Sequence, residues 1–307
     1  MKKLLNRIIR RLNYDYHRII DVFVRKLCSP PRVMTSEETI NYIIKNKCSI
    51  ARFGDGELSL INGANLGFQS YDNKLAKRLL KLIKISPNSN MLICLPNVFS
   101  IDPNFVNIEK RFWYNHLIYN RAKWYNLANK QSSYGNTFVS RFYSMYYNQE
   151  YSSKIYALLR KLWDSRDVVF IEGKYSRLGL GNNCFENVSS VNRILCPSKN
   201  AFNKYTEILE VTTKIPKEYL IIIALGPTAT VLAYDLSLLG YQALDLGHID
   251  LEYEWYRINA SEKVPISGKF CNESFILGNQ DKEVVGEINS ADIDIYKSQI
   301  LIDLSDE

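Results

Sequence analysis

Apolar positions along this chain follow two alternating rhythms. Short, β-branched runs recur as "SIARFG", "NMLICLP", "DVVFIEG", "SVNRILCP", "YLIIIALG" and "YQALDLG". Between most of them lie stretches with apolar residues every three or four positions, such as "YDNKLAKRLLKLIK". That alternation predicts strands and helices in turn, and so a mostly parallel sheet flanked by helices on both faces. Ahead of the first strand, "SEETINYIIKN" reads as a helix with a Ser-x-x-Glu-like start. Residues 99–165 are rich in aromatic side chains and read as a mostly helical insertion. No internal repeat, low-complexity tract or Gly/Ser linker divides the chain. The expected fold class is therefore α/β, with an aromatic-rich helical insertion. Three segments are expected: an N-terminal helix over 1–32, one domain over 33–275 and an acidic peripheral tail over 276–307.

The first segment has its own pattern. Leu4, Leu5, Ile8, Ile9, Leu12, Tyr16, Ile19, Ile20, Phe23 and Leu27 keep a helical period, arginines fill much of the opposite face, and Pro30-Pro31 ends the element. Two destinations fit a basic amphipathic helix. It can lie in an anionic membrane interface, or it can pack its stripe on its own domain or a partner subunit.

Charge sharpens this division. The chain of 307 residues carries a formal +7, and the surplus lies entirely in residues 1–32, where nine Lys/Arg face only Asp15 and Asp21. The body is neutral, which argues against nucleic acid as a partner. Six cysteines are scattered with no CxxC pair, several in apolar runs, as buried reduced thiols would be. No secretory signal and no apolar run of membrane-spanning length stand out, so a cytoplasmic protein is expected, with peripheral contact at the inner face of the cell membrane if the helix takes the lipid route.

Candidate chemistry gathers where strands end, since open parallel sheets bind ligands beyond their carboxyl ends. In "RFGDGE", Arg52 precedes Asp55 and Glu57. Extended backbone would project residues i and i+2 to one side, so both carboxylates would face one hard cation such as Mn²⁺ or Mg²⁺. Gly54 and Gly56 would let the backbone approach the ligand. A glycine turn with two exposed acids is the plainer reading. In "FIEGKYSRLGLGNN", Lys174 and Arg177 offer cations to an anion, although each alone reads as a solvated surface residue. In "ALGPTATVLAYDL", a strand passes through Gly226-Pro227 into a helix near Thr228. Such a helix start suits phosphate, or is simply a tight connection. It matches neither the Walker nor the GxGxxG pattern. In "LDLGHIDLEYEW", His248 stands beyond a strand among Asp245, Asp250, Glu252 and Glu254, as a proton acceptor, metal partner or structural residue. Asp245, within the strand, is expected to be structural.

Taken in order, "RFGDGE", "YGNTFVSRFY", "GKYSRLGLGN", "CPSKNAF", "ALGPTATVLAYDL" and "DLGHIDLEYEW" resemble the bacterial GT-D-type glycosyltransferases, whose hallmark is a DXE motif. The resemblance runs from about residue 35 to about residue 270. It implies a Rossmann-like GT-D-type fold, a nucleotide-sugar donor such as a UDP-sugar, and a divalent metal, commonly manganese. By position, Asp55 and Glu57 match the metal-serving acids, and Arg52, Lys174, Arg177 and His248 match polar positions around the donor. Gly54, Gly226, Pro227 and Thr228 complete the expected donor site. A base for the acceptor hydroxyl is expected from Asp250, then His248, then Glu252. The implied function is transfer to a glycan acceptor, lipid- or protein-linked, in surface-polysaccharide or glycoprotein glycan assembly. The alternative is a non-catalytic nucleotide-sugar-binding or scaffold protein that has kept the pocket.

Overall fold

The computed structural model describes residues 2–86, 90–99, 104–130, 132–269 and 289–306. Helix α1 (Lys2–Leu27) leads to β1 (Arg32–Val33), α2 (Ser36–Asn46) and β2 (Ser49–Arg52). Next come α3 (Asp55–Ile61), α4 (Asn73–Leu82), β3 (Met91–Leu95), α5 (Asn107–Leu127) and β4 (Ser133–Asn136). A 3₁₀ turn over Thr137–Ser140 and α6 (Gln149–Arg160) lead to β5 (Asp167–Gly173) and β6 (Ser190–Cys196). The chain continues through α7 (Tyr205–Thr212), β7 (Leu220–Ala224), α8 (Pro227–Leu238), β8 (Gln242–Asp245) and α9 (Ile249–Arg257). Helix α10 (Ser290–Ser298) and β9 (Ile300–Asp303) close it.

Among the described residues nine strands form one sheet in the order β1-β4-β3-β2-β8-β7-β5-β6-β9, and every pairing between them is parallel. Strand alternation sorts the core onto two faces. Ala51, Ile93, Val169, Ile221 and Ala243 pack on one side with Leu58, Leu79, Leu117, Ile208 and Leu232, from α3, α4, α5, α7 and α8. Ile50, Leu92, Val168, Ile222 and Leu244 pack on the other with Ile43, Leu159 and Trp255, from α2, α6 and α9. The chain therefore leaves β2 toward one face and leaves its neighbour β8 toward the other. This is a topological switch point, the place where open parallel sheets put their ligand crevice, beyond the strand ends.

The seam at the switch point is held by more than its ladder, whose register pairs Ile50 with Leu244. The Arg52 backbone N–H donates to Asp245 Oδ2 at 3.1 Å, Nε to the Asp245 carbonyl at 2.6 Å, and Nη2 to Oδ1 at 3.0 Å. Thr230 of α8 donates its hydroxyl to the Arg52 carbonyl at 3.0 Å. Both charged side chains are largely buried, with 13% and 5% exposure.

Several expectations change on contact with the structure. Strand β4 lies inside the segment expected to be mostly helical. "SYGN" carries no β-branched residue and becomes a strand through its pairing with β1 and β3. Gly135 is needed there, because a Cβ would sit 2.6 Å from Cys94 Sγ and 3.1 Å from Thr39 on α2. The aromatic rings of that segment are mainly core: Trp113, Trp124, Tyr134, Phe138 and Phe142 are buried. The cap of α2 is Thr35, one residue earlier than expected, in a reciprocal capping box with Glu38. The acidic tail supplies β9, which joins the sheet edge beside β6; its expected boundary at 275/276 lies outside the described residues. Cys28, Cys48, Cys94, Cys184 and Cys196 are free thiols, and Cys271 lies outside the described residues.

Removing Asp245 would strand the Arg52 guanidinium in the seam. Asp245→Ala is expected to lower stability by about 3–5 kcal/mol, read as a lower urea midpoint at unchanged denaturant slope.

Candidate active site

The sequence "GDGE" is a helix start. Gly54 is the N-cap of α3, Asp55 and Glu57 are its first and third residues, and Glu57 Oε2 accepts the Gly54 N–H at 2.7 Å. This corrects the expectation of two acids on extended backbone. Two residues along a helix turn the side chain by about 200°, so strand alternation does not align the pair. The missed signal is a glutamate three residues after a cap residue. Asp55 remains exposed and Glu57 is partly covered.

Electrostatics nonetheless set Glu57 apart. Surrounding protein desolvates the Glu57 carboxyl and raises its pKa from 4.5 to about 7, against the opposing pull of the Gly54 N–H; Asp245 and Asp55 raise it further. Negative charge there is poorly compensated near neutral pH, and a dication would relieve it. Carboxylate oxygens suit Mn²⁺ or Mg²⁺, so the residues fit the implied metal. Among the described residues no group of three or more His, Cys, Asp or Glu side chains is placed to hold a metal. A dication at Asp55 and Glu57 would complete its shell from phosphate and water. The half-buried His116 of α5 also feels Asp55. Burial lowers its pKa, Asp55 works the other way, and its Nε2 accepts from Trp124 Nε1 at 3.0 Å.

The walls of the crevice depend on two glycines. Gly226, the N-cap of α8, has φ +53°, and a Cβ would fall 2.6 Å from the Phe68 ring. The Phe68 loop is itself pinned by Asn200, whose N–H donates to the Phe68 carbonyl at 2.9 Å and whose Oδ1 accepts from Ser70 N at 2.7 Å. Gly247 has φ +54°, and a Cβ would fall 2.5 Å from Arg52 Nη2. Pro227 opens α8, and behind it Thr228 is fully buried with a hydroxyl that has no hydrogen-bond partner.

Arg52 was expected as a cation at the donor. Its guanidinium is instead committed to Asp245 and to Ser140 Oγ at 2.6 Å, so it offers a fixed positive field under the crevice. Lys174 and Arg177 sit by the end of β5, three strand spacings or about 14 Å from β2. There Lys174 Nζ lies 3.7 Å from Asp306, and Arg177 Nη1 donates to the Gly268 carbonyl at 2.9 Å. They do not join the acid pair.

Of the three expected bases, two are internal. Asp250 is fully buried, ion-paired with Lys269, and accepts the Gly179 N–H at 3.3 Å. Glu252 holds the N–H groups of Tyr143 and Ser144 at 3.0 and 2.7 Å and the Ser144 hydroxyl at 2.5 Å. His248, the partly exposed N-cap of α9, is the most accessible. By accessibility alone, His248 therefore stands ahead of Asp250 and Glu252.

Read together, the six sequence motifs form one bonded network. "YGNTFVSRFY" supplies Ser140 to Arg52, Thr137 to the Phe53 carbonyl at 2.7 Å, and the Tyr143 N–H to Glu252. "GKYSRLGLGN" supplies Gly179 to Asp250 and Asn182 to Glu254 at 2.7 Å. "CPSKNAF" supplies Asn200. Thr137, Ser140, Thr230, Phe68 and Asn200 were not singled out from sequence, since lone polar or aromatic residues carry no pattern of their own.

Comparison with known proteins agrees with this geometry. The profile of the glycosyltransferase GT-D fold matches residues 50–274. A probable glycosyl transferase Gly of Streptococcus gordonii is 37% identical over 275 residues, 90% of this chain and 39% of that protein. Glycosyltransferase GlyD of Streptococcus pneumoniae is 36% identical over 86% of this chain and 31% of its own length. This chain thus spans well under half the length of the curated relatives it matches. A solved domain of unknown function 1792, described as having a distinct glycosyltransferase fold, superposes with TM-score 0.85 at 38% identity, covering 92% of this chain and 99% of that one. A glycosyltransferase of the same domain family from Streptococcus sanguinis gives 0.83 at 36% identity, covering 89% and 99%. With its parallel sheet and a match over most of its length, this chain belongs to the GT-D family of glycosyltransferases.

Proposed function

We propose that this chain moves a sugar from a nucleotide-sugar donor, a UDP-sugar, to a lipid- or protein-linked glycan in bacterial surface-polysaccharide or glycoprotein assembly. Asp55 and Glu57 would hold Mn²⁺ or Mg²⁺ against the donor diphosphate. The observation that carries this reading is the acid pair at the switch-point crevice, with Glu57 raised to about 7.

The bond between the anomeric carbon and the diphosphate oxygen breaks, and its electrons leave with the nucleoside diphosphate. A bound dication would neutralise charge on that leaving group. The free N–H groups of the first turn of α8 donate hydrogen bonds to a phosphate oxygen. Arg52, fixed by Asp245, adds a positive field that needs no rearrangement as charge develops. His248 takes the proton of the acceptor hydroxyl as the new glycosidic bond forms. Glu252 braces α9 against the segment around Tyr143, and so orients His248.

Release of nucleoside diphosphate from a UDP-sugar with Mn²⁺ tests the proposal. Asp55→Ala with Glu57→Ala is expected to lower turnover by at least about a hundredfold with an unchanged circular dichroism spectrum. Unchanged turnover would remove the motif from the mechanism, and UDP binding without sugar release under any metal would make the chain a binder. His248→Asn is expected to reduce turnover by about 10²–10⁴-fold with little effect on donor binding by calorimetry.

Protonation of Glu57 gives a separate test. Its folded pKa of about 7 exceeds its ordinary 4.5, so the folded form holds the extra proton between these values and stability falls as pH rises through that window. Glu57→Gln keeps an acceptor for the Gly54 N–H and removes the titration. In chelator-treated protein, its stability relative to wild type should therefore climb between about pH 4.5 and 7 and level off above. Parallel urea-midpoint curves for the two proteins would contradict the shift.

A further inference from the structure

Helix α1 docks by its flank and leaves its apolar face bare. Its contacts run to α5. Asp21 pairs with the buried Arg121 at 2.5 Å, and Tyr14 and His17 pack on Tyr119 at ring distances of 6.3 and 5.0 Å. Val24 reaches the core edge. These residues lie on one side of the helix. The amphipathic stripe lies on another, where Leu5, Ile8, Ile9, Leu12, Tyr16, Ile19, Phe23 and Leu27 are 47–78% exposed. From residue 5 to residue 27 the row runs about 33 Å. Packing the stripe on its own domain, one of the two expected destinations, is thus excluded for these eight side chains.

An exposed apolar row of this length needs a cover, and charge selects it. Arg7, Arg11, Arg18 and Arg25 repeat at spacings of four and seven, forming a second exposed stripe well round the helix from the apolar one. With Lys2, Lys3, Arg10, Lys26 and Arg32, and against Asp15 and Asp21, they give residues 1–32 the chain's whole net charge of +7. A second copy laid on this row would bring two such segments together, and like charge opposes that. An anionic surface complements it, because the apolar row enters the acyl boundary while the long arginine side chains reach the headgroups. No described helix is long and apolar enough to cross a bilayer, so the contact lies in the plane of the interface.

We propose that α1 is an in-plane membrane anchor, clamped to the domain through Asp21 and Arg121, that seats this chain on an anionic lipid surface. The proposal does not depend on the reaction assigned above. Three uses of the full chain test it. Wild type should co-sediment with vesicles in which about a third of the lipid is phosphatidylglycerol, bind pure phosphatidylcholine vesicles at least about tenfold more weakly, and lose binding as salt rises. Leu12→Glu with Phe23→Glu, both on the bare face, should reduce anionic binding by at least about tenfold while leaving the melting temperature and nucleotide-sugar turnover unchanged. Arg11→Gln with Arg18→Gln should weaken binding and flatten its salt dependence. Failure to bind, equal binding to both vesicle types, or binding unaltered by Leu12→Glu with Phe23→Glu would overturn the proposal. So would a dimer in light scattering that this double variant dissolves, since the row would then be a subunit interface.

Discussion

The ion pair between Arg52 and Asp245 is the constraint around which the rest of the site is arranged. It sits where the sheet changes winding direction, between β2 and β8, whose connections leave toward opposite faces. One guanidinium bonds both the carboxylate and the backbone of the neighbouring strand while reaching Ser140 beyond β4. Asp245 in turn contributes to the rise in the Glu57 pKa. The same carboxylate thus ties the seam and tunes an acid in the crevice. Gly247 must lack a side chain because the guanidinium occupies that space.

Two separate demands meet at "GDGE". Helix α3 needs its first N–H groups satisfied, and Glu57 meets one of them by folding back on Gly54. A ligand site needs carboxylates near the crevice, and Asp55 at the exposed start of the helix provides one. Serving as a cap keeps Glu57 close to the backbone and partly desolvated, which is the larger cause of its raised pKa. The local requirement of the helix and the chemical property of the acid have one origin.

Much of this was legible in the sequence. Strand runs in "DVVFIEG" and "YLIIIALG" were visible because doubly buried strands are continuous in apolar β-branched residues. The strand-end loops were legible for the same reason, as polar and glycine-rich punctuation after those runs. What escaped was whatever tertiary pairing decides. "SYGN" is a strand only because β1 and β3 flank it, and β9 only because β6 offers an edge. The roles of Arg52, Asp250 and Glu252 escaped for a related reason. A charged residue in a sequence looks available, and only the fold reveals that its partner is already supplied, by Asp245, Lys269 and Tyr143 with Ser144. The acids of "GDGE" were read on the wrong backbone, since a strand end and a helix cap can share the same four letters.

Strand β9 has a consequence for how the chain comes into being. Its partner β6 ends at Cys196, and β9 begins at Ile300, about a hundred residues later. During synthesis at about 5–20 residues per second, β6 emerges and then waits about 5–20 seconds for the neighbour that completes its ladder. Throughout that wait its unpaired peptide groups form a template for foreign strands. Residues 300–303 are thus the ones that cover the β6 edge, and until they pair that edge stays open along an otherwise finished sheet.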